Sequence, residues 1–469
     1  MKRAIIIIAS VLFGLLFYDK QIGLNLLIFS IITLIVLIIH DSKKFKERNV
    51  LISAIVYICT GVIVFINLSN LSIIANCIAF FTLIGVNSKS NTSIYINWLN
   101  GVYSTIAGIF HRNVDVNEAQ QQITLKKDID IFHWVKLLGI PIAFIILFVM
   151  LYKNGNPMFN DLINKINLDF INLEWILFCV LGYFLFSNIS KPVCVEPATS
   201  LDLNTDNILV KSKNFSEETL KKETQLGTLL IALLNLLIVF YIVTDILYLL
   251  TNDLNSASAL SNQVHSGINT LIASIIIAII IILYFFRGDL NFYLKNTTLK
   301  NLTYLWIILN IVLIVLIANK NHTYITSFGL TYKRIGVNVY IFLTLIGLIT
   351  TLLKVMNIKS LVYLLRVNTQ LSFAIVIILS TINWDNTITN YNLYKAESFD
   401  IDYLIKLSDR NAITLYNAKA NIIISEDNKG RIDQKYLNHI KSLNNKDWQE
   451  VHYEYFTVTE KTNAYESSK

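Results

Sequence analysis

The chain has 469 residues, of which 54% are hydrophobic and 15% are charged, with a formal net charge of +7. An ordinary soluble protein carries about 25% charged residues, and the mean hydropathy here is +0.55. These values exclude a secreted enzyme, a cytosolic enzyme and a nucleic-acid-binding protein. They define a class of protein and say little about its activity.

Eleven apolar segments follow one another along the chain, and each is a candidate membrane crossing, although the first is short for one. They cover residues 4–18, 23–39, 51–66, 71–86, 133–152, 171–188, 226–250, 268–286, 302–318, 335–356 and 361–383. None alternates polar and apolar residues, so we expect α-helices and not a β-barrel. The predicted fold is all-α, a polytopic membrane protein of about eleven transmembrane helices.

The first of these segments follows a basic start, which also suits a secretory signal peptide. No cleavage site of small residues precedes Asp19. We therefore expect residues 4–18 to form an uncleaved transmembrane helix, with cleavage as the alternative.

A twelfth segment, residues 94–110, is interrupted by asparagines and glycines and carries Tyr95, Trp98 and Tyr103. If it does not cross, the loops on one side of the membrane downstream of it hold 13 basic residues and those on the other side hold 5. Because basic residues collect in cytoplasmic loops, we expect this segment to lie along the cytoplasmic interface. The same rule places the N-terminus in the cytoplasm and the C-terminal tail outside, in a bacterial inner (plasma) membrane.

The tail changes in composition: residues 384–469 contain 11 basic and 13 acidic residues. The basic excess therefore belongs to residues 1–383, where it orients the chain and meets anionic lipid. In the tail we expect helices over residues 400–407 and 409–424, then a turn at Asn428–Gly430 and a further helix. The prediction is a transmembrane domain (1–383) and a small extracytoplasmic helical module (384–469). The expected partners are the lipid bilayer and an envelope protein bound through the tail, and no nucleic acid.

Charged residues within the apolar segments are few, and their cost in a bilayer makes them candidates for function. Arg366 lies near a segment end, where we expect it to extend toward the interface. Asp245 lies deeper, on the predicted outer side, and His265, Lys333 and Arg334 lie in the outer loops. The hypothesis is a polar cluster of these four residues, either a structural clamp or a site for an anionic ligand.

Other chemical motifs are weak. Residues 427–433 look like a calcium loop, but they place Lys429 at a ligand position. The seven histidines form no HxxxH or HExxH pair, the four cysteines have no CxxC spacing, and no P-loop, GxSxG or GxGxxG is present. We therefore expect no cofactor, no metal site and no catalytic residue, and we read the cysteines as small buried residues.

Several sequence blocks resemble the bacterial membrane family known as domain of unknown function 4153/4173. The blocks are residues 264–272 (VHSGINTLI), residues 328–337 (FGLTYKRIGV), residues 383–385 (NWD) through 391–393 (YNL) to 400–404 (DIDYL), and the early residues 23–25 (GLN). The similarity runs to about Leu407. The resemblance implies a polytopic inner-membrane protein without an established activity, and it directs attention to His265 and to Tyr332, Lys333 and Arg334 as ligand-binding candidates.

Three functions remain open. The first is a non-enzymatic membrane scaffold or envelope-sensing interaction protein, and the second is a small-molecule or ion transporter, favoured by the helix count and Asp245. The third is a membrane-embedded enzyme acting on lipid-linked substrates. A cavity reaching Asp245 favours transport, a lateral opening beside His265 favours an enzyme, and a solid bundle with a structured tail favours the first.

Overall fold

The computed structural model describes residues 2–120, 141, 144–145, 148–149, 151–159, 172–212, 216–251 and 268–457. Within these ranges the regular elements are helices, and the one β pairing is a bridge between Ile208 and Lys359. The expected all-α class is confirmed. The helices used below are α1 (Lys2–Phe17), α2 (Leu24–His40), α3 (Arg48–Ile66), α4 (Asn70–Ser88), α5 (Ile94–Gln120), α6 (Leu173–Ile189), α7 (Ala198–Asn204), α8 (Glu217–Thr251), α9 (Ile268–Phe285), α10 (Thr297–Phe328), α11 (Tyr332–Met356), α12 (Leu361–Ser380), α13 (Trp384–Tyr394), α14 (Ile401–Lys406), α15 (Ala412–Ala418) and α16 (Glu426–Asn444).

Six of the described helices are long and apolar enough to cross a membrane: α3, α4, α8 over Glu217–Leu247, α10, α11 and α12. Helices α2, α6 and the Asn269–Phe285 part of α9 are apolar but shorter. A helix of 19 residues, such as α3, is about 28 Å long, close to the hydrocarbon thickness of about 30 Å. Most of the predicted segment 133–152 lies outside the described residues, so the structure supports several crossings without fixing eleven.

The outward faces of these helices are apolar. Leu229, Leu236 and Phe240 of α8 are between 62% and 70% exposed. Cys59 and Cys77, expected to be buried, are also exposed on their helices. Soluble proteins seldom expose large apolar patches, so these faces are suited to lipid.

The helices run between two ends of a bundle. At the end we call the Lys2 end, the ammonium of Lys2 donates to the carbonyl of His40, 2.5 Å away, at the finish of α2. At the opposite end, which we call the tail end, Asn172 before α6 donates to the hydroxyl of Tyr18 after α1 at 2.7 Å. Residues 384–457 pack at this tail end. Consecutive long helices therefore alternate in direction from α1 to α4, and again from α6 to α12.

Helix α5 does not follow this alternation. Its first turns pack on the end of α4, where Gly85 lies against the backbone of Asn97. Further along, Arg112 donates to the carbonyls of Ser187 (3.0 Å) and Asn188 (3.3 Å) at the end of α6. Both contacts lie at the Lys2 end. From residue 97 to residue 112 the contacts of α5 therefore stay at one end of the bundle, and its position along a membrane interface stays a prediction.

Among the described residues, buried apolar side chains form three cores. The first is formed by the four helices α8–α11. The second is formed by the four helices α1–α4 together with α6, and the third lies at the tail end. The third core combines Ile325 and Leu330, which precede the tail, with Ile388, Leu404 and Leu415 of the tail. The tail thus shares its core with the end of α10, so the packing does not divide at residue 384.

Helix α10 reaches beyond its predicted apolar segment to make this contact. It has 32 residues and is about 48 Å long, and its last carbonyls accept from the tail backbone. Glu397 N–H donates to Thr326 at 3.0 Å, and Ser398 N–H donates to Ser327 at 3.2 Å. The tail is therefore attached to a rigid element.

Two local predictions for the tail are wrong. The turn expected at Asn428–Gly430 lies inside α16, because the Ser425 side chain caps that helix by accepting from the Asn428 N–H. The helix expected over 409–424 is shorter: a 3-10 turn, Asp409–Asn411, leads into α15, which ends at Ala418. The Ser425 cap sets the start of α16, and the end of α15 at Ala418 makes the other helix shorter than predicted.

Candidate functional site

The most extensive buried polar network of the described tail centres on Asp385, in the first turn of α13. Its side chain is 2% exposed. One carboxylate oxygen accepts from the Tyr332 hydroxyl at 2.7 Å, and the other accepts from Arg410 at 2.9 Å and from the Ser408 hydroxyl. Three donors, one of them the Arg410 cation, take the place of the water that the carboxylate loses on burial.

The network continues into the bundle through Arg410. This guanidinium also donates to the side-chain oxygen of Asn67, at 2.9 Å, just after α3. The amide nitrogen of Asn67 donates in turn to the carbonyls of Ser380 (2.8 Å) and Ile382 (2.9 Å) at the end of α12. We call Asp385, Tyr332, Ser408, Arg410 and Asn67 the Asp385 network. It joins the tail to the ends of three helices of the bundle.

A second set of contacts closes the turn between α10 and α11. Gly329 has a positive φ of 80°, a conformation that favours glycine. The next residue, Leu330, exchanges two hydrogen bonds with the side chain of Asn392, accepting at 3.0 Å through its carbonyl. The Tyr332 N–H donates to the Tyr403 hydroxyl at 3.0 Å. Burial raises the pKa of this tail phenol, so it remains a neutral partner.

A third contact joins the tail to the loop between α1 and α2. Backbone N–H groups of Leu24 and Asn25 donate at 2.8 Å to the carbonyls of Val451 and Gln449. A Cβ on Gly23 would lie 2.2 Å from the carbonyl oxygen of Glu450. Only glycine allows such a close backbone approach. The block at residues 23–25 therefore forms the surface on which residues 449–451 of the tail pack.

The arrangement holds segments together and offers no reacting group. The Asp385 carboxylate accepts from three donors and its side chain is only 2% exposed, so a substrate could not reach it without disassembly of the network. Within the residues that the structure describes, no group of three or more His, Cys, Asp or Glu side chains is arranged to hold a metal ion. Positioning is the chemistry this geometry supports.

The predicted cluster around Asp245 is not formed as expected. Asp245 pairs with Lys320, whose ammonium donates at 2.5 Å, and the two side chains are 9% and 13% exposed. Arg334 instead donates to the carbonyls of Phe328, at 2.7 Å, and Gly329, and its guanidinium lies 3.9 Å from the centre of the Tyr324 ring. These carbonyls end α10, where a cation is favoured.

The remaining predicted residues are dispersed. Lys333 is exposed to solvent, and His265 lies outside the described residues. Tyr332 belongs to the Asp385 network. Its partners Asp385 and Arg410 were missed as site residues, although Asp385 stands inside the NWD block at residues 383–385.

The Lys2 end carries its own ion pair, and it corrects the expectation for Arg366. This side chain does not simply extend toward the interface: it donates to the Asp202 carboxylate at 3.1 Å and to Ser93 at 3.0 Å. Burial of Asp202 opposes ionisation, but hydrogen bonds from Ser93, Tyr95 and Arg366 outweigh it and lower the pKa of this carboxyl. The pair fastens α12 to the segment that connects α6 to α8.

Two cavities among the described residues have volumes of about 490 Å³ and 310 Å³. Both lie at the Lys2 end, and Asp245 lines neither of them. A cavity that reaches Asp245 would favour transport, and neither of these two does so.

Comparison with known proteins gives one match. The profile of a family described as "Domain of unknown function (DUF4153)" covers residues 4–418, which confirms the resemblance found in the sequence and extends it beyond Leu407. No curated protein and no solved structure matches. The matched range contains the whole Asp385 network, and it ends with α15, before α16.

Proposed function

We propose that this chain, which belongs to the DUF4153 family, is an integral membrane scaffold that presents its C-terminal tail as a fixed platform for a partner in the cell envelope. The observation that carries the proposal is the buried Asp385 network. It ties the tail to α3, α11 and α12, so that the tail and the bundle move as one body. A tethered but independent domain would not need such a connection.

The proposed topology has eleven crossings, a cytoplasmic N-terminus and an extracytoplasmic tail. The alternation of helix direction supports it, as does α5, whose two contact regions lie at the Lys2 end. The count requires one further crossing between α5 and α6, since α6 begins at the tail end. The predicted segment 133–152 supplies it. The excess of basic residues in the loops of the Lys2 end then faces a bacterial cytoplasm.

The tail also has a surface suited to a partner. Ile423 and Leu437, in residues beyond the family match, are fully exposed and 64% exposed, respectively. Contiguous apolar patches on a protein surface frequently mark interaction sites, and the proposal is that these two positions belong to one such patch. A platform role predicts that these positions contact the partner while the network below them keeps the platform in place.

Site-specific photo-crosslinking in living cells tests the proposal. Crosslinkers placed at Ile423 and Leu437 should capture the same envelope protein, and a crosslinker at Leu229, on the lipid-facing side of α8, should not. The Asp385→Asn variant, compared at equal abundance in the membrane, should lose this capture and the function of the chain together. Unchanged capture and full function in that variant, with its tail shown to be loosened, would refute a fixed platform.

A transporter is the second candidate, and the Asp245–Lys320 pair favours it. Charges paired within a membrane bundle can take part in ion or proton pathways. Asp245→Asn separates the two functions: normal abundance with a lost cellular phenotype favours transport, whereas loss of the protein indicates a structural pair.

A further inference from the structure

The larger cavity, of about 490 Å³, is strongly basic. Four cationic residues line it, Lys2, Arg3, Lys44 and Lys191, against a single acidic residue, Asp41. Its volume falls within the range of about 300–1,000 Å³ that is typical of small-ligand sites. This excess of positive charge favours the binding of an anionic ligand.

The cavity lies where the helices pass from apolar to polar sequence. Its lining residues include the first turn of α1, the last residue of α2, the end of α4 and the residues just after α6. In a bilayer this boundary coincides with the lipid headgroups, where basic pockets between helices bind anionic headgroups.

The cavity is also partly pre-organised. The ammonium of Lys2 is held by the carbonyl of His40 at 2.5 Å, and that of Lys44 by the carbonyl of Asn87. Asn87 is 2% exposed, and within the described part of the chain its side-chain oxygen has no hydrogen-bond partner. A buried acceptor without a donor is costly, so a ligand that brings a hydroxyl group would satisfy it.

Apolar side chains beside the cavity indicate the source of the anion. Ile7 and Ile8 of α1 are 53% and 59% exposed, and Ile38 and Ile39 of α2 are 40% and 38% exposed. These residues are sequence neighbours of Ile6 and His40, which line the cavity. Acyl chains can lie along such faces, whereas a free phosphate would not use them.

We propose that this cavity binds the phosphodiester headgroup of an anionic glycerophospholipid, with a headgroup hydroxyl donating to Asn87. The four cations neutralise the phosphate, and the acyl chains follow the exposed faces of α1 and α2. Choline lipids are disfavoured, because their headgroup has no hydroxyl and carries a fixed positive charge.

Native mass spectrometry of the purified full-length chain in detergent tests the site. The probes are dioleoyl phosphatidylglycerol, dioleoyl phosphatidylcholine and inorganic phosphate. The test variant is Arg3→Gln with Lys191→Gln, both exposed at the cavity. The matched control is Lys43→Gln with Lys46→Gln, which removes the same charge at the same end from exposed residues outside the cavity lining.

The proposal expects phosphatidylglycerol to bind the native chain in preference to phosphatidylcholine. Removing two cations should weaken it by roughly 30-fold, the control pair should change it little, and Arg3→Lys with Lys191→Arg should retain it. Equal binding in the test and control variants would overturn the site. Displacement of the lipid by millimolar inorganic phosphate would overturn the lipid as its source and leave a site for a soluble anion.

Discussion

Replacing Asp385 by asparagine should loosen the tail from the bundle. Each partner of this carboxylate is a donor: the hydroxyls of Tyr332 and Ser408 and the guanidinium of Arg410. An asparagine presents one amide group that cannot accept, and it leaves the cation of Arg410 without its counter-charge. Removing one partner of a buried ion pair costs about 3–5 kcal/mol.

The structure places the effect near the lower end of this range. The Arg410 side chain is 18% exposed and keeps its bond to Asn67, so water and an amide oxygen partly replace the lost carboxylate. A cost of about 3 kcal/mol corresponds to roughly a hundredfold increase in local opening. Hydrogen exchange of the full chain in detergent measures it: amides of α13 should exchange about a hundred times faster, while those of α4 remain unchanged.

Two further variants isolate the pair. Asp427→Asn removes an exposed carboxylate from the same tail and should leave α13 near its native rate. Adding Arg410→Gln to Asp385→Asn removes the unpaired cation and should recover part of the loss, which a double-mutant cycle measures. If α13 in Asp385→Asn exchanges within threefold of the native rate, the network does not fasten the tail.

Three other variants extend these expectations. Gly329→Ala forces a side chain into a positive φ and places its Cβ 2.6 Å from an amide oxygen. It should lower the free energy of unfolding by about 1–3 kcal/mol, as thermal unfolding measures. The control Gly336→Ala has open space around it and should be neutral or stabilising. In Glu454, burial raises the pKa, but hydrogen bonds from two histidines outweigh it and hold the pKa at about 2, below the ordinary 4.5. Since a lowered carboxyl pKa stabilises above the unfolded value, up to about 3 kcal/mol should be lost as pH falls from about 4.5 to 2, and Glu454→Gln should flatten this part of an acid titration followed by hydrogen exchange. Lys320→Ala should lower the membrane abundance of the chain by leaving the charge of Asp245 unpaired, and a second change of Asp245 to alanine should restore it.

The sequence was sufficient for the helical class and the family. These features depend on properties that act locally: apolar length and short motifs. Where local signals compete, the prediction was less accurate. Gly430 indicated a turn, but the Ser425 cap and the apolar face of α16 outweighed a glycine cost of about 1 kcal/mol.

Pairing between distant helices could not be read from the sequence. Lys333 and Arg334 stood out as basic residues on the predicted outer side, which suggested Asp245 as their acid. The cation of Arg334 is instead stabilised by the carbonyl end of α10, a partner without a charged side chain. Asp245 forms its ion pair with Lys320 because α8 packs against α10. This pairing depends on tertiary packing, which the composition of the chain does not encode.

The positions of the motif blocks point to what the family shares. Residues 23–25, 328–337 and 383–404 are far apart in the sequence, yet each contributes to the contact between tail and bundle. The family profile ends at residue 418, after Arg410 has completed the Asp385 network and before the exposed Ile423 and Leu437. The matched part therefore contains the bundle and the attachment of the tail, while the proposed partner surface lies beyond it. The proposed scaffold would account for this division, with the attachment of the tail inside the matched range and the partner surface beyond it. The Asp245–Lys320 pair, on which the transporter candidate rests, also lies inside the matched range.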